Sequence, residues 1–179
     1  MFDQPFAFRK VSIQNEINTG FLIRTIKYVF DIGKKRFVVD VEHYQHDFYI
    51  IKFYPKRLAD YRYRFNILTE DYRATRAIST CLFIIKEILV QEKNANFGFL
   101  GSPIYDPKNK KMENRANNKR FRIYKYAFEN FFGTSTFTHY IDPNSSTYMI
   151  VNNKNVNPDL LMESATIMFS SLYPDLNNL

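Results

Sequence analysis

The sequence contains very little cysteine, glycine and proline, and it contains no tryptophan. Among its 179 residues there are one cysteine, five glycines and seven prolines. A single cysteine, Cys81, cannot form an intrachain disulfide, which excludes a secreted disulfide scaffold and leads us to expect a cytoplasmic protein. The scarcity of glycine and proline, together with 45% hydrophobic residues, argues against a disordered, repeat or collagen-like chain.

Targeting signals, long apolar runs and the common catalytic motifs are also absent. Residues 1–5 have neither a basic region followed by an apolar core nor the start of a membrane-spanning run, so we expect no membrane association. The sequence has no Gly-x-Ser-x-Gly elbow, Walker loop, dinucleotide fingerprint or His-Glu-x-x-His pair. The usual signatures of hydrolases, kinases and zinc proteases are therefore missing.

Positive charge is what the sequence has in excess. The formal net charge is +7, and the basic residues concentrate in residues 34–36, 56–57, 62–76 and, most densely, 108–122. Clustered Lys and Arg side chains displace counterions from phosphates, so these runs favour a protein or nucleic-acid partner with a polyanionic surface. The same runs are typical of solvated loops and helix faces that keep a protein soluble, and the sequence leaves both interpretations open.

The first half of the chain predicts a three-stranded antiparallel meander. Residues 21–31 are apolar and β-branched, Gly33 supplies a turn, and apolar residues alternate with polar ones through residues 36–43. The third strand covers residues 48–54 and ends at Pro55, which cannot donate to a central ladder.

The segments on either side of the meander have different patterns. Residues 1–20 show no clear period and are interpreted as an amino-terminal arm, and residues 63–68 predict a fourth strand. A helix is predicted over residues 76–93 because its apolar positions follow the i, i+3, i+4, i+7 spacing. Cys81 lies on this stripe and is interpreted as a small core residue rather than a nucleophile, since nothing in the sequence supplies a base beside it.

The second half predicts a strand, a helix and a closing hairpin. Residues 95–100 form a short strand, and Asn117 or Asn118 can cap a second helix. The apolar stripe of that helix consists of Phe121, Tyr124, Phe128 and Phe131. Residues 136–141 and 147–151 then form a hairpin, because turn-forming residues separate two strand-like runs.

A terminal helix completes the predicted elements. Asn157 is a good N-cap and Pro158 a good first-turn residue, and we expect this helix to pack on the domain or on a partner, a homodimer included. The sequence therefore predicts one mixed α/β (α+β) domain. Its parts are the arm over residues 1–20, the core over residues 21–151, and the extra C-terminal helix within residues 152–179.

The order of meander, helix, strand, helix and hairpin over roughly residues 20–151 resembles that of the GNAT superfamily of acetyl-CoA-dependent N-acetyltransferases. In the second helix of that family an Asn is often followed by Ala three residues on and by Tyr seven residues on, and Asn117 and Tyr124 keep that spacing. The resemblance implies a mixed, mostly antiparallel sheet flanked by helices. It also implies that Tyr124 takes the place of the family's frequent general-acid tyrosine. Arg120 stands at the Ala position, and residues 127–128 replace the family's Leu-Gly pair.

The family's cofactor loop has a degenerate counterpart here. That loop reads Gln or Arg, two residues, Gly, one residue, then Gly or Ala, and its backbone N–H groups hold the pyrophosphate of the cofactor at a helix N-terminus. In this sequence Arg73 starts the pattern, Arg76 replaces the first Gly, and Ile78 replaces the second small residue. Because these side chains crowd a diphosphate, we expect no bound cofactor. If acetyl-CoA does bind, the resemblance makes Arg73, Arg76 and Ala77 its contacts, with the two arginines offering charge in place of backbone donors.

Three classes of function follow. The first is a GNAT-like module that has lost acetyl-CoA binding and binds a macromolecule without catalysis, which accounts for both the missing glycines and the charge. The second is an active N-acetyltransferase, with Tyr124 as general acid toward the departing thiolate and Glu42 as base. The third is a nucleic-acid-binding protein. The side chains expected to contact phosphates are Arg62, Arg64, Lys110, Lys111, Arg120 and Arg122.

Two basic stretches, residues 61–65 and 121–126, alternate aromatic rings with cations, as surfaces that stack bases and contact phosphates do. In a strand or an amphipathic helix the same alternation places the rings in the core and the cations in water, and both interpretations stay open. No metal site is expected, because a turn between strands would splay His43 and His46 apart. His139 is interpreted as a polar strand residue.

Overall fold

A seven-stranded, mostly antiparallel sheet and three helices make up the computed structural model of this chain, which describes residues 2–17, 20–67 and 74–173. The strands are β1 (Phe8–Asn15), β2 (Leu22–Ile32), β3 (Lys35–Tyr44), β4 (Phe48–Pro55), β5 (Asn96–Leu100), β6 (Tyr105–Asp106), β7 (Lys111–Met112), β8 (Phe137–Asp142) and β9 (Thr147–Asn152). The helices are α1 (Ala74–Gln91), α2 (Lys119–Phe131) and α3 (Pro158–Leu172). The predicted mixed fold class with a C-terminal helix is confirmed.

The large sheet has the strand order β1-β2-β3-β4-β5-β9-β8, and β6 and β7 form a separate hairpin. Neighbouring strands are antiparallel except for β4 and β5, which are parallel. A parallel pair needs a crossover connection, and α1 supplies it. The predicted meander and the predicted closing hairpin are both confirmed. Gly33 turns β2 into β3 with a φ of 60°, a conformation that glycine adopts without steric cost.

Helices cover both faces of the sheet. α1 and α2 pack on one face, and α3 packs on the other. Aromatic side chains fill much of the core under α1 and α2, among them Tyr28, Phe30, Phe37, Tyr49, Phe97 and Tyr148. On the opposite face, Phe169 of α3 meets the rings of Tyr44 and Phe48 edge-on. β3 is buried on both faces, and its buried residues include the polar Asp40 and His43.

The start of α2 is fixed by a close approach to the end of β5. The side chain of Asn118 accepts a hydrogen bond from the Phe121 N–H and donates to the carbonyl of Gly101. Of the two predicted caps, Asn118 is therefore the one used. A Cβ on Gly101 would lie 2.7 Å from Phe121 Cβ, closer than real Cβ atoms come, so this position needs glycine.

Two expectations for the first 70 residues are corrected. No strand is predicted within residues 1–20, yet β1 lies there and pairs with β2; its side chains are exposed from Arg9 onward, so no apolar alternation marks it. The strand predicted over residues 63–68 is wrong for the described part. There the N–H groups of Arg64 and Asn66 bond back to carbonyls three residues earlier, which makes successive turns. The division of the chain at residues 20 and 151 stays a prediction.

Candidate functional site

A cleft opens where β4 and β5 diverge. The parallel ladder between them ends at Ile50 opposite Gly98, whereas β4 continues to Pro55 and β5 to Leu100. Beyond Ile50 the β5-side edge of β4 has no ladder partner among the described residues, so backbone polar groups border the gap. The resulting cavity has a volume of about 400 Å³, which is within the usual range for small-molecule sites.

The walls of this cleft are mainly apolar and come from several elements. α1 contributes Ala77, Ile78 and Cys81, and burial raises the pKa of the Cys81 thiol to about 12, so it stays protonated. Polar or charged side chains also line the cleft: Lys52, Arg64, Ser102, Arg120, Tyr124, Thr147 and Tyr173. The cleft is therefore an apolar cavity with a small number of polar groups.

Basic segments from distant parts of the sequence meet at the end of the sheet where the cleft opens. Pro55 and Leu100 lie at this end because β4 and β5 are parallel. The β2–β3 turn lies there because Phe37 pairs with Pro55, and α2 starts there because Asn118 bonds to Gly101. The exposed basic residues at this end are Lys34, Lys56, Arg57, Arg62, Lys108, Lys110, Lys111, Lys119 and Arg122. We call this surface the basic end.

An aromatic stack joins two basic segments at this end. The rings of Tyr63 and Tyr105 lie 4.6 Å apart at 28°. The Tyr105 N–H donates to the carbonyl of Asn66 at 3.0 Å, and the Asn66 amide donates to the carbonyl of Pro103 at 2.8 Å. The guanidinium of Arg62 lies 5.4 Å from the Tyr63 ring centroid. These contacts hold the β6–β7 hairpin against residues 61–67.

The structure brings three of the predicted phosphate contacts to one surface. Arg62, Lys110 and Lys111 are exposed on the stacked segments. Lys110 lies in the tip of the β6–β7 hairpin with a φ of 50°. The nearby carboxylate of Asp106 accepts hydrogen bonds within the same tip, and the bond from the Asn109 side chain lowers the pKa of that carboxyl. The lysines therefore stand at the apex of an ordered hairpin.

The other predicted phosphate contacts are occupied by structural hydrogen bonds. Arg64 donates to the carbonyl of Ala59 at 2.9 Å, and its guanidinium lies against aromatic rings. Arg120 donates to two carbonyls within residues 65–67, which ties α2 to that segment. Arg122 is exposed and donates to a backbone carbonyl at the start of its own helix. Arg64 and Arg120 line the cleft, and of these three arginines only Arg122 faces solvent.

Tyr124, a residue of α2, lines the wall of the cleft. Its ring packs edge-on against Phe99 at 5.0 Å. Burial raises the pKa of Tyr124 to about 12, although the nearby Arg120 charge opposes this shift. The phenol is therefore protonated at neutral pH, as a general acid must be.

Glu42 is on the other face of the sheet from Tyr124. Its carboxylate accepts a hydrogen bond from the Tyr44 hydroxyl at 2.7 Å and lies 2.6 Å from Lys52 Nζ. Tyr44 belongs to the apolar cluster under α3, whereas Tyr124 packs against the cluster under α1 and α2. The two residues that the sequence assigns as acid and base are therefore not brought together by the fold.

Of the predicted cofactor contacts that lie within the described residues, one lines the cleft and one is directed away from it. Arg76 donates to the carbonyls of residues 4–5 at 3.1 and 3.2 Å, and its guanidinium lies 4.1 Å from the Phe6 ring centroid. Ala77 is buried and lines the cleft. Arg73 lies outside the described residues. The Arg76 side chain thus anchors the amino-terminal segment to α1.

The histidines take structural positions. His43 Nδ1 accepts from Arg24 Nε at 3.1 Å, and its Nε2 lies 3.2 Å from Asp47 Oδ1. Burial lowers the pKa of His43, and burial also lowers that of His139. His46 is exposed in the β3–β4 turn at a φ of 61°. Within residues 2–17, 20–67 and 74–173, no group of three or more His, Cys, Asp or Glu side chains is arranged to hold a metal ion.

Sequence reasoning did not single out Tyr105 or Asn66, the residues that dock the hairpin. Tyr105 lies between Pro103 and Pro107, in a segment whose prolines favour a loop. An aromatic residue between two prolines is the one available signal, because a ring in a polar loop usually has a packing partner. The partner, Tyr63, is 42 residues away in sequence and cannot be identified from local pattern.

Comparisons with protein-family models, with curated proteins and with solved structures find no match to this chain. None of the helices in the described part of the chain is long and apolar enough to cross a membrane.

Proposed function

We propose that this chain is a GNAT-like module that binds a polyanionic macromolecule at its basic end and does not transfer acetyl groups. The strand order supports the GNAT-like part of this proposal. The resemblance extends from the order of the elements to their pairing. The sheet consists of a meander, a parallel β4–β5 pair connected through α1, and a closing hairpin whose strand β9 pairs with β5. Fold alone does not assign an activity, which must be argued from the site.

The stack of Tyr63 on Tyr105 is the observation that carries the binding function. It unites Arg62 with the exposed lysines of the β6–β7 hairpin on one surface. Tyr61, which is 39% exposed, meets Tyr63 edge-on beside them. One exposed ring and two half-buried rings thus lie next to cations. Aromatic rings beside cations are the combination that binds single-stranded nucleic acid, since bases stack on the rings while phosphates meet the charges. Single-stranded nucleic acid is therefore the polyanion that this surface fits best.

The lack of catalysis is supported by the positions of the candidate catalytic groups. Tyr124 and Glu42 are on opposite faces of the sheet, and Glu42 is already paired with Lys52. Arg76, which replaces a cofactor-binding glycine, is directed toward the amino-terminal segment. A homodimer through α3 stays a prediction; the helix packs on its own sheet and leaves Ile167 71% exposed.

The binding function is tested by fluorescence anisotropy with a labelled single-stranded oligonucleotide. The double variant Lys110→Glu, Lys111→Glu is expected to weaken binding at least tenfold at low salt and to flatten the dependence of affinity on salt. The matched control is Lys93→Glu, Lys154→Glu. It makes the same charge change at exposed positions at the opposite end of the sheet, where α1 and β9 end. Equal effects of the two variants, or no binding by the unmodified chain, would contradict the proposal.

An active N-acetyltransferase is the second candidate, because Tyr124 lines the cleft with a pKa that keeps it protonated. Isothermal titration with acetyl-CoA tests this candidate directly. Saturable binding, with turnover that Tyr124→Phe abolishes, would favour the enzyme and remove the main support for a non-catalytic module. The absence of acetyl-CoA binding is the result that we expect.

A further inference from the structure

Two guanidinium groups line the apolar cleft without a carboxylate partner. Arg64 bonds one backbone carbonyl through Nη1, and its Nε is buried with no hydrogen-bond partner among the described residues. Arg120 donates to two backbone carbonyls. Neither arginine forms an ion pair with any residue that the structure describes. The cleft therefore contains two positive charges that no anion of the described chain balances.

An unbalanced charge in such a place favours an anionic ligand. A cation taken out of water is costly unless it is paired and its donors are satisfied. The rings of Tyr54 and Phe65 lie 5.2 and 4.8 Å from the Arg64 guanidinium carbon. Ring faces attract a cation but do not neutralise it, and they accept none of its N–H bonds. The Arg64 Nε is enclosed by protein, and the other guanidinium N–H groups that bond no described residue are donors suited to a carboxylate oxygen, which binds arginine strongly and directionally.

The rest of the cleft requires an apolar ligand body. The apolar lining includes Phe53, Ile78, Leu82, Phe99, Phe128 and Phe169. A water molecule takes about 30 Å³ of liquid volume, so a cavity of about 400 Å³ accommodates on the order of a dozen atoms of that size. The twelve non-hydrogen atoms of decanoate match that capacity.

We propose that the cleft binds an alkyl carboxylate of about this length, with the carboxylate on Arg64 beside Arg120 and the chain between β4 and β5 beneath α1. This site is separate from the exposed lysines of the basic end and does not depend on nucleic-acid binding. The ligand class follows from the two positive charges and the apolar surface that line the same cleft. A neutral alkyl chain leaves the arginines unpaired, and a small anion leaves the apolar walls unfilled.

The test is isothermal titration of decanoate, octanoate and decanol into the full chain. Decanoate is expected to bind one to one. Octanoate should bind roughly tenfold more weakly, because it buries two fewer methylene groups. Decanol, which has the same chain without the charge, should bind at least tenfold more weakly than decanoate.

Arg64→Met is expected to reduce the affinity for decanoate to near that for decanol, and to leave decanol binding unchanged. Because decanol binding itself reports an intact cleft, this comparison separates a lost contact from a lost fold. The matched control is Arg62→Met, an exposed arginine two residues away. The Lys110→Glu, Lys111→Glu variant should bind decanoate as the unmodified chain does, so that failure of one proposal is distinguishable from failure of the other.

Two results would overturn the inference. One is an absence of binding by both decanoate and decanol. The other is equal binding of decanoate and decanol that Arg64→Met does not change, which would make the cleft a purely apolar cavity. If coenzyme A displaces decanoate under that second condition, the cleft is a cofactor site and the alkyl carboxylate assignment is wrong.

Discussion

At the scale of single residues, the close approach of α2 to the end of β5 restricts which side chains fit between them. Gly101 faces Phe121 and the capping side chain of Asn118 so closely that no Cβ fits. The Asn118 amide also donates to the Gly101 carbonyl, so the two residues fix each other. This contact sets where α2 begins, and with it the position of Arg120 and Tyr124 in the cleft wall.

Gly101→Ala is expected to destabilise the chain by about 1–3 kcal/mol, because the added Cβ would have to displace helix backbone and the cap. The measurement is the urea midpoint of unfolding at neutral pH. Gly20→Ala is the control: a Cβ there meets nothing within 4 Å, and its effect should stay within about 0.5 kcal/mol. Similar losses in the two variants would show that the α2 contact is not the cause.

At the scale of elements, the β6–β7 hairpin depends on a partner that is remote in sequence. Each of its strands has only two residues, and an isolated hairpin of that length is not stable in water. Its order comes from the Tyr63–Tyr105 stack and the bond from Tyr105 to Asn66. The basic end therefore exists as one surface only while the hairpin is docked.

Tyr105→Ala is expected to undock the hairpin and to accelerate trypsin cleavage at Lys108, Lys110 and Lys111 by roughly threefold or more, since an aromatic pair contributes about 0.5–1.5 kcal/mol beyond its buried area. Limited proteolysis followed by mass spectrometry measures this. Tyr105→Phe keeps the ring and should cleave as the unmodified chain does. If both variants cleave at the original rate, the stack does not hold the hairpin.

The elements also show how far local pattern reaches. The predicted meander, both central helices, the closing hairpin and the C-terminal helix are confirmed, because each is marked by apolar periodicity or by a cap such as Asn157, which accepts from the Leu160 N–H. β1 was not predicted since its exposed face has no apolar alternation. The strand expected over residues 63–68 is wrong in its described part, because contacts with Arg120 and Tyr105 favour turns over an extended chain.

At the scale of the whole molecule, tyrosine burial makes stability depend on alkaline pH. Burial raises the pKa of Tyr28, Tyr124 and Tyr148 in the folded chain, and for Tyr28 the neighbouring Glu87 adds to the shift. In the unfolded chain a tyrosine has a pKa near 10. Above that pH the unfolded state loses protons that the folded state keeps, so the stability present below about pH 10 is lost as pH rises.

The free energy of unfolding in urea titrations is therefore expected to begin to fall above about pH 9, where the Cys81 thiol ionises only in the unfolded chain. It should fall more steeply above pH 10, by up to about 1.4 kcal/mol per pH unit for each such tyrosine. Tyr28→Phe should make this fall less steep, because it removes one group that titrates in the unfolded state. Tyr61→Phe, at an exposed ring, is the control and should leave the slope unchanged. A midpoint that does not change between pH 8 and pH 11 would contradict the prediction.

The sequence by itself determined the type and order of most elements and the excess of positive charge, because these depend on periodicity, caps and composition. Only the tertiary structure decided which charges act together. Strand pairing places Lys34 and Lys56 at one end of the sheet, and the stack of Tyr63 on Tyr105 brings Lys110 to the same end. The fold also leaves Arg64 and Arg120 half-buried in a cleft that no local pattern marks. The physical reason is that a cleft arises where two strands separated by a helix pair and then diverge, and both events depend on contacts between residues far apart in the chain.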